Sequence, residues 1–171
     1  MYCMNNENNH SITLQKLQTM MSYAARYLYL KEKCQLLYEK LTISSHAVEV
    51  LGGLDPHSKE RILAVYADAK TYLAECAQKL LQCKRVIRAA VILSDALSDA
   101  EKKTILLRLK DHSIREIAKA LEVTDAAVVM RIKRSGGKLT GTEEGREQFY
   151  NCLSRIKEAG LEETHERPKS N

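Results

Sequence analysis

The chain of 171 residues contains no tryptophan, one phenylalanine, two prolines and seven glycines. Proline and glycine interrupt regular helices, and the alternating Val, Ile and Thr segments that are typical of strands are absent. The sequence therefore predicts a mostly helical protein. It also contains no apolar run of about 18 residues, and no apolar secretory segment at its start, so we expect a cytoplasmic protein without membrane contact.

The five cysteines are widely spread and include no CxxC pair. Cys3, Cys34, Cys76, Cys83 and Cys152 are therefore expected to be small core residues in a reducing compartment. The five histidines are scattered as well, so the sequence predicts neither a metal site nor a cofactor. Motifs such as G-x-S-x-G, the P-loop and HExxH are also absent, and we expect no enzymatic activity.

Two long segments carry apolar residues at seven-residue spacing, which is typical of helices that pack along one seam. The first seam predicts a helix of roughly 28 residues, and the second predicts a longer helix. The seams consist of Met20, Tyr27, Cys34 and Leu41, and of Ile62, Ala69, Cys76, Cys83 and Ala90. An antiparallel hairpin over residues 14–96, serving oligomerisation or partner binding, is the simplest arrangement. An intermolecular coiled coil is the alternative.

The connection between the two seams is the stretch TISSHAVEVLGGLDPHSKE. Gly52–Gly53 and Asp55–Pro56 indicate a loop, a short helix over 46–51 is compatible with the sequence, and Ser58 is the predicted N-cap of the second helix. The polar ends of the chain, residues 1–13 and 161–171, are predicted to be flexible.

Short helices are predicted after residue 97. Ser98 with Glu101 and Ser113 with Glu116 have the spacing of capping boxes, and Thr124 is the expected cap of a third helix that runs to about Ser135. Gly136 and Gly137 are expected to end or bend that helix. A further helix over 143–159, within a C-terminal unit of residues 141–160, places Phe149, Leu153 and Ile156 on one face.

Positive charge is concentrated in one segment. Between Lys102 and Lys138 there are ten Lys and Arg residues and four Asp and Glu residues. From Leu139 to the end of the sequence there are five Lys and Arg residues and seven Asp and Glu residues. A clustered basic stretch is typical of a phosphate-binding surface, although a solvated helical face has the same composition.

The segment LSDAEKKTILLRLKDHSIREIAKALEVTDAAVVMRIKRSGGKL resembles region 4 of bacterial sigma factors, in particular the extracytoplasmic-function type. The resemblance covers residues 97–140 and implies a helix-turn-helix, related to winged-helix DNA readers, whose last helix enters the major groove. The first 96 residues lack the aromatic and basic pattern of a sigma region 2. Such an arrangement resembles small transcription regulators of Gram-positive phages and mobile elements. Glu122 stands where the turn often has glycine.

The resemblance implies a set of DNA-contacting residues. Bases would be contacted from the exposed face of the last helix, and phosphates by its basic end and by the preceding helix. Val129 and Met130 stand where polar residues are usual, and could contact thymine methyl groups, or Val129 could pack against Phe149. The expected site consists of Ser113, Arg115, Lys119, Thr124, Asp125, Ala126, Val129, Met130, Arg131, Lys133, Arg134 and Lys138.

The sequence thus predicts an all-α, sequence-specific regulator of transcription that binds double-stranded DNA. A homodimer through the N-terminal helices is expected, because one short helix rarely gives enough affinity alone. Two alternatives stay open. The chain could be an adaptor directed at RNA polymerase or a sigma factor without DNA readout, or a DNA-binding factor of phage packaging or replication.

Overall fold

The computed structural model describes residues 11–51 and 55–161, with the backbone alone for residues 44–51. All regular structure in these ranges is helical, which confirms the all-α prediction. The helices are α1 (Leu14–Leu51), α2 (Pro56–Leu93), α3 (Asp99–Leu109), α4 (Ile114–Ala120), α5 (Asp125–Thr140) and α6 (Glu144–Ala159). The predicted Gly52–Gly53 connection, most of the N-terminal segment 1–13 and the tail beyond Leu161 lie outside the described residues.

Helix α1 is longer than its apolar seam predicts. It does not end near Leu41 but continues to Leu51, a total of 38 residues. The sequence between these positions contains no glycine or proline, so no residue forces the backbone out of the helical conformation before Gly52. The short helix expected over 46–51 is thus the last part of α1.

Helix α2 begins earlier than predicted. Its N-cap is Asp55 rather than Ser58, and the Asp55 side chain accepts a hydrogen bond from the backbone N–H of His57. Pro56 occupies the first turn, where its missing N–H costs nothing because the first amides of a helix have no partner within it. Proline therefore starts this helix rather than marking a loop.

Helices α1 and α2 pack antiparallel. The Lys79 ammonium lies 4.8 Å from the centre of the Tyr23 ring, and the Tyr38 and Tyr66 rings lie 6.4 Å apart. Residue numbers thus rise along α1 as they fall along α2. Apolar residues at the predicted spacing, including Cys34, Cys76 and Leu80, are buried between them.

The short helices α3 and α4 are closed at both ends by local hydrogen bonds. Ser98 and Ser113 form complete capping boxes with Glu101 and Glu116, as predicted. At the C-terminal ends, Asp111 and Glu122 adopt positive φ angles of 66° and 55°. In each case the next residue donates back across the last turn, His112 to Leu107 and Val123 to Ala118, which is the Schellman pattern.

Helix α5 passes through both glycines that were expected to end or bend it, and it stops at Thr140 before Gly141, whose φ is 72°. The reason is the close approach of α6. A Cβ atom on Gly136 would lie 2.5 Å from the Phe149 Cβ and 2.6 Å from the Gly145 carbonyl oxygen. Glycine at this position therefore allows the two helix backbones to come into contact, and α5 continues through it although glycine has a low helix propensity.

Helix α6 connects the N-terminal helices to the rest of the chain. Phe149, Leu153 and Ile156 are buried, as predicted for one apolar face. Most of the buried apolar residues form one continuous cluster that draws side chains from all six helices, and Ile12 belongs to it with 1% of its surface exposed. Ile12, from the segment expected to be flexible, is thus part of the core, and the core is shared across the boundary expected near residue 97.

A buried lysine joins three separate segments. The Lys84 side chain on α2 is 4% exposed. Its ammonium lies 3.0 Å from an Asp111 carboxylate oxygen in the α3–α4 turn and donates to the Leu161 carbonyl oxygen at 2.9 Å, after α6. An ammonium that loses water needs such partners, so this contact fixes how the three segments lie relative to one another.

Replacing Gly136 with alanine tests the close approach of α5 and α6. We expect Gly136→Ala to lower the free energy of unfolding by about 1–3 kcal/mol, because the added methyl group overpacks the contact with Phe149. Gly137→Ala is the matched control, since its Cβ would meet the flexible Arg146 side chain. Urea unfolding of both variants measures the difference, and an equal effect at the two glycines would contradict the account.

Candidate nucleic-acid interface

The α4–α5 pair is held at a fixed angle by small and branched apolar residues. Ile117 and Val128 are fully buried, and Ala118 is 4% exposed. The turn between the helices contains Glu122 with a φ of 55°, so it has the shape that usually requires glycine. A non-glycine residue in this conformation costs about 1 kcal/mol. The turn therefore forms with a left-handed residue other than glycine.

One face of α5 points away from the protein. Ala126, Met130 and Arg134 are exposed and lie four residues apart, so they follow one another along the helix. We call these three residues the outward face. The opposite side carries Val128 and Ile132, which are both fully buried. Burial of that side fixes which residues α5 presents to solvent.

Val129 and Met130 differ in their surroundings. Met130 belongs to the outward face and is 41% exposed. Val129 is half-buried and lies seven residues before Gly136, on the flank of α5 that turns toward α6. Of the two apolar residues, Met130 is the one that faces solvent directly.

Two of the expected phosphate-contacting lysines are engaged within the protein. The Lys133 ammonium lies 2.6 Å from a carboxylate oxygen of Glu147 on α6 and 5.4 Å from the centre of the Tyr150 ring. Lys138 donates to both carboxylate oxygens of Glu101 on α3, at 3.0 and 2.8 Å. Both lysines therefore join α5 to neighbouring helices.

The remaining expected residues lie on α4 and on the first part of α5. Arg115 and Lys119 are exposed on α4, and Thr124 and Asp125 are exposed at the start of α5. Arg131 is half-buried, on a flank of α5 between the outward face and the buried side.

The N-terminus of α4 is occupied by its own capping residues. The Ser113 hydroxyl accepts from the Glu116 amide, and the Glu116 carboxylate accepts from the Ser113 amide at 2.6 Å. These hydrogen bonds from Ser113 lower the pKa of Glu116, which keeps a negative charge at this helix end. A phosphate approaching Ser113 would meet that charge.

Glu101 on α3 forms an ion pair with Lys138 on α5. Its carboxylate is buried and accepts hydrogen bonds from the Ser98 backbone, the Ser98 hydroxyl and Lys138. Burial alone would raise the pKa of Glu101, but the hydrogen bonds from Lys138 and Ser98 outweigh it, so the pKa is lowered from its ordinary value of 4.5. Glu101 thus stays ionised in the folded protein.

Sequence reasoning did not single out the buried polar residues that organise this region. Lys84 lies four residues after Leu80 and three before Ile87. This spacing places the lysine on an apolar seam, which is the feature of the sequence that could have indicated its burial. Arg108 interrupts the apolar run ILLRL and is 8% exposed. It donates to the His112 carbonyl oxygen at 3.0 Å and to the Ser154 hydroxyl at 3.5 Å. Desolvation lowers the pKa of Arg108.

The four cysteines among the described residues are buried or half-buried, as expected, and Cys3 lies outside these residues. Cys34, Cys76 and Cys152 are buried with free thiols, and Cys83 is half-buried. Burial, with a smaller effect of the nearby Cys83, raises the pKa of Cys152 to about 12. Among the side chains that the structure describes, no three His, Cys, Asp or Glu residues come together as a metal site. None of the helices in the described ranges is both long and apolar enough to span a membrane.

Comparison with known proteins gives one partial likeness. No protein-family model matches the chain, and no solved structure matches it. A curated ATP phosphoribosyltransferase from Cytophaga hutchinsonii is 28% identical over 95 residues, which is 55% of this chain and 33% of that protein. The chain thus spans about a third of that enzyme's length in the match. At this identity and coverage the likeness assigns neither family nor activity.

The Glu101–Lys138 pair makes an acid-sensitive contribution to stability. Because the folded pKa lies below 4.5, the contribution is present above that pH and is lost as the pH falls through the folded value. We expect Lys138→Met to lower the free energy of unfolding by about 0.2–1 kcal/mol at neutral pH, since Lys138 is partly exposed, and to reduce the loss of stability on acidification. Urea unfolding between pH 7 and 3 measures both effects.

Glu75→Gln on the exposed side of α2 is a suitable control for the removal of one charge. If the wild type and Lys138→Met lose stability equally between these pH values, the ion pair does not contribute.

Proposed function

We propose that the chain is a sequence-specific double-stranded DNA-binding regulator of transcription that acts through α4 and α5 as a helix-turn-helix. The observation that supports it best is the outward face of α5, where Ala126, Met130 and Arg134 are exposed above a fully buried Val128 and Ile132. A helix with a fixed, protruding face is what a major groove about 12 Å wide admits. In this proposal the chain is cytoplasmic and has no catalytic role.

The composition of the outward face suits close contact with base edges. Ala126 is small enough to let the helix approach the groove, and Met130 offers an apolar, adaptable side chain. Apolar side chains in the major groove contact the methyl group of thymine. We therefore expect the preferred site to contain thymine opposite Met130, with Asp125 near a cytosine amino group at the start of the helix.

The exposed cations define the phosphate contacts. Arg115 and Lys119 on α4 and Arg134 on α5 are exposed, whereas Lys133 and Lys138 already pair with Glu147 and Glu101. Three phosphate contacts predict that the logarithm of the binding constant falls with a slope of about −2.7 against the logarithm of salt concentration. A largely apolar protein interface would show no such dependence, so this slope separates DNA binding from an adaptor function.

Selection of random duplex DNA by the purified protein, at two salt concentrations, tests the proposal. We expect an enriched motif with a salt-dependent affinity. Arg134→Ala should weaken binding on all sequences and reduce the salt slope by about 0.9, because one phosphate contact is lost. Ala126→Glu should lower affinity by at least about tenfold, since it brings a carboxylate into the groove.

Matched controls lie on α2, where Arg88 and Ala74 are exposed and far along the chain from α5. Arg88→Ala and Ala74→Glu should leave the motif, the affinity and the slope unchanged. If the wild type enriches no motif and its binding is insensitive to salt, the proposal is wrong. Capture of RNA polymerase by the same outward face would then support the adaptor function.

A further inference from the structure

Helix α1 carries a second apolar stripe on its exposed side. Tyr29, Leu36 and Ile43 are 62%, 52% and 67% exposed. They are seven residues apart, so they lie on one line along the helix. We call these three residues the outer stripe. It lies apart from the seam of α1 that faces α2, where Leu30 and Cys34 are buried.

An exposed line of large apolar side chains needs a partner of matching shape. Single exposed apolar residues are common, but a stripe with heptad spacing is the pattern by which helices pack on other helices. The outer stripe covers 15 residues from Tyr29 to Ile43, or about 22 Å of helix. Its length and straightness fit another helix better than a compact ligand.

The two edges of the outer stripe carry opposite charges. On a helix of 3.6 residues per turn, Glu32 and Glu39 lie on one side of the line through Leu36, and Lys33 and Lys40 lie on the other. Glu32, Glu39 and Lys40 are exposed, and Lys33 is half-buried. Glu39 also accepts a hydrogen bond from Gln35 on its own helix, at 3.0 Å. The stripe is therefore apolar along its centre, acidic along one edge and basic along the other.

We propose that two copies of this chain pack α1 against α1 in parallel through the outer stripe. In a parallel pair related by a two-fold axis along the helices, the acidic edge of each copy faces the basic edge of the other. In an antiparallel pair, acidic edges would face each other, and so would basic edges. Charges at the rim of an interface set orientation more than affinity, and here they favour the parallel pair.

This inference extends the proposed function. A two-fold axis parallel to α1 keeps the two copies of α5 at the same height along that axis, and two-fold symmetry is what a dimer needs to bind two half-sites of a duplex together. The interface is short, so its own dissociation constant is expected on the order of micromolar. Binding at two linked half-sites strengthens it through effective concentration. The tests below use no DNA, so dimerisation and DNA binding can fail independently.

Sedimentation equilibrium of the full chain from about 1 to 200 μM tests whether the outer stripe forms the dimer. The wild type should dimerise, and Leu36→Glu should raise the dissociation constant at least about 100-fold, because a charge replaces the central apolar contact. Leu63→Glu is the matched control, since Leu63 is 60% exposed on α2 but lies outside the stripe. A monomeric wild type at 200 μM, or equal effects of the two variants, would overturn the proposal.

Charge reversal gives a second test that leaves the apolar centre intact. Lys33→Glu with Lys40→Glu makes both edges acidic, and Glu32→Lys with Glu39→Lys makes both basic. Each double variant alone should dimerise at least about tenfold more weakly than the wild type, and an equimolar mixture should recover the heterodimer. If neither double variant changes the dimer, the edges do not meet and the proposed packing is wrong.

Cysteine crosslinking tests the orientation. Tyr29→Cys and Ile43→Cys are made separately in a protein that also carries Cys3→Ser. The protein with Cys3→Ser alone is the reference without an introduced cysteine. In a parallel dimer each position faces itself, so each variant alone should form a disulfide-linked dimer under mild oxidation. In an antiparallel dimer residue 29 faces residue 43, and crosslinks would form only between the two variants when mixed. That second result would overturn the parallel arrangement.

Discussion

The close crossing of α5 and α6 determines what this protein presents to its surroundings. Because Gly136 has no side chain, the Phe149 side chain and the Gly145 backbone can occupy the space that a Cβ atom would need at this position of α5. Once that contact forms, the helical period of about 3.6 residues per turn determines the direction in which each of the remaining side chains of α5 points. Val128 and Ile132 enter the core, and Ala126, Met130 and Arg134 face outward. The candidate interface is therefore a consequence of core packing.

Polar contacts also join the other helices of the protein to one another. Lys84 on α2 holds Asp111 and the end of α6, while Glu101 joins α3 to Lys138 on α5. Both contacts bury one charged partner almost completely, so the cost of removing that charge from water offsets much of the attraction within the pair. Of the basic residues expected to contact phosphates, Lys133 and Lys138 pair with carboxylates of the same chain, and Arg115, Lys119 and Arg134 are exposed on α4 and α5.

Features with a local cause were predictable from the sequence. The capping residues Ser98, Ser113 and Thr124 and the apolar face of α6 were predicted correctly, because caps and helical periodicity depend on residues a few positions apart. The continuation of α5 through Gly136 and Gly137 was not predicted, because its cause is the close approach of α6, which is distant along the chain from the start of α5. Likewise, a positive charge in the sequence does not show whether its partner is a carboxylate of the same chain. The pairing of Lys133 with Glu147 needed the structure.

The most direct test of the central claim is to follow backbone amide resonances by NMR while the selected duplex, or a scrambled duplex of equal length, is added. We expect the selected duplex to cause its largest shifts at Ala126, Met130 and Arg134, and these shifts to diminish as the salt concentration is raised. Shifts confined to the α1–α2 helices, or none at saturating DNA, would contradict the claim that the outward face of α5 reads DNA.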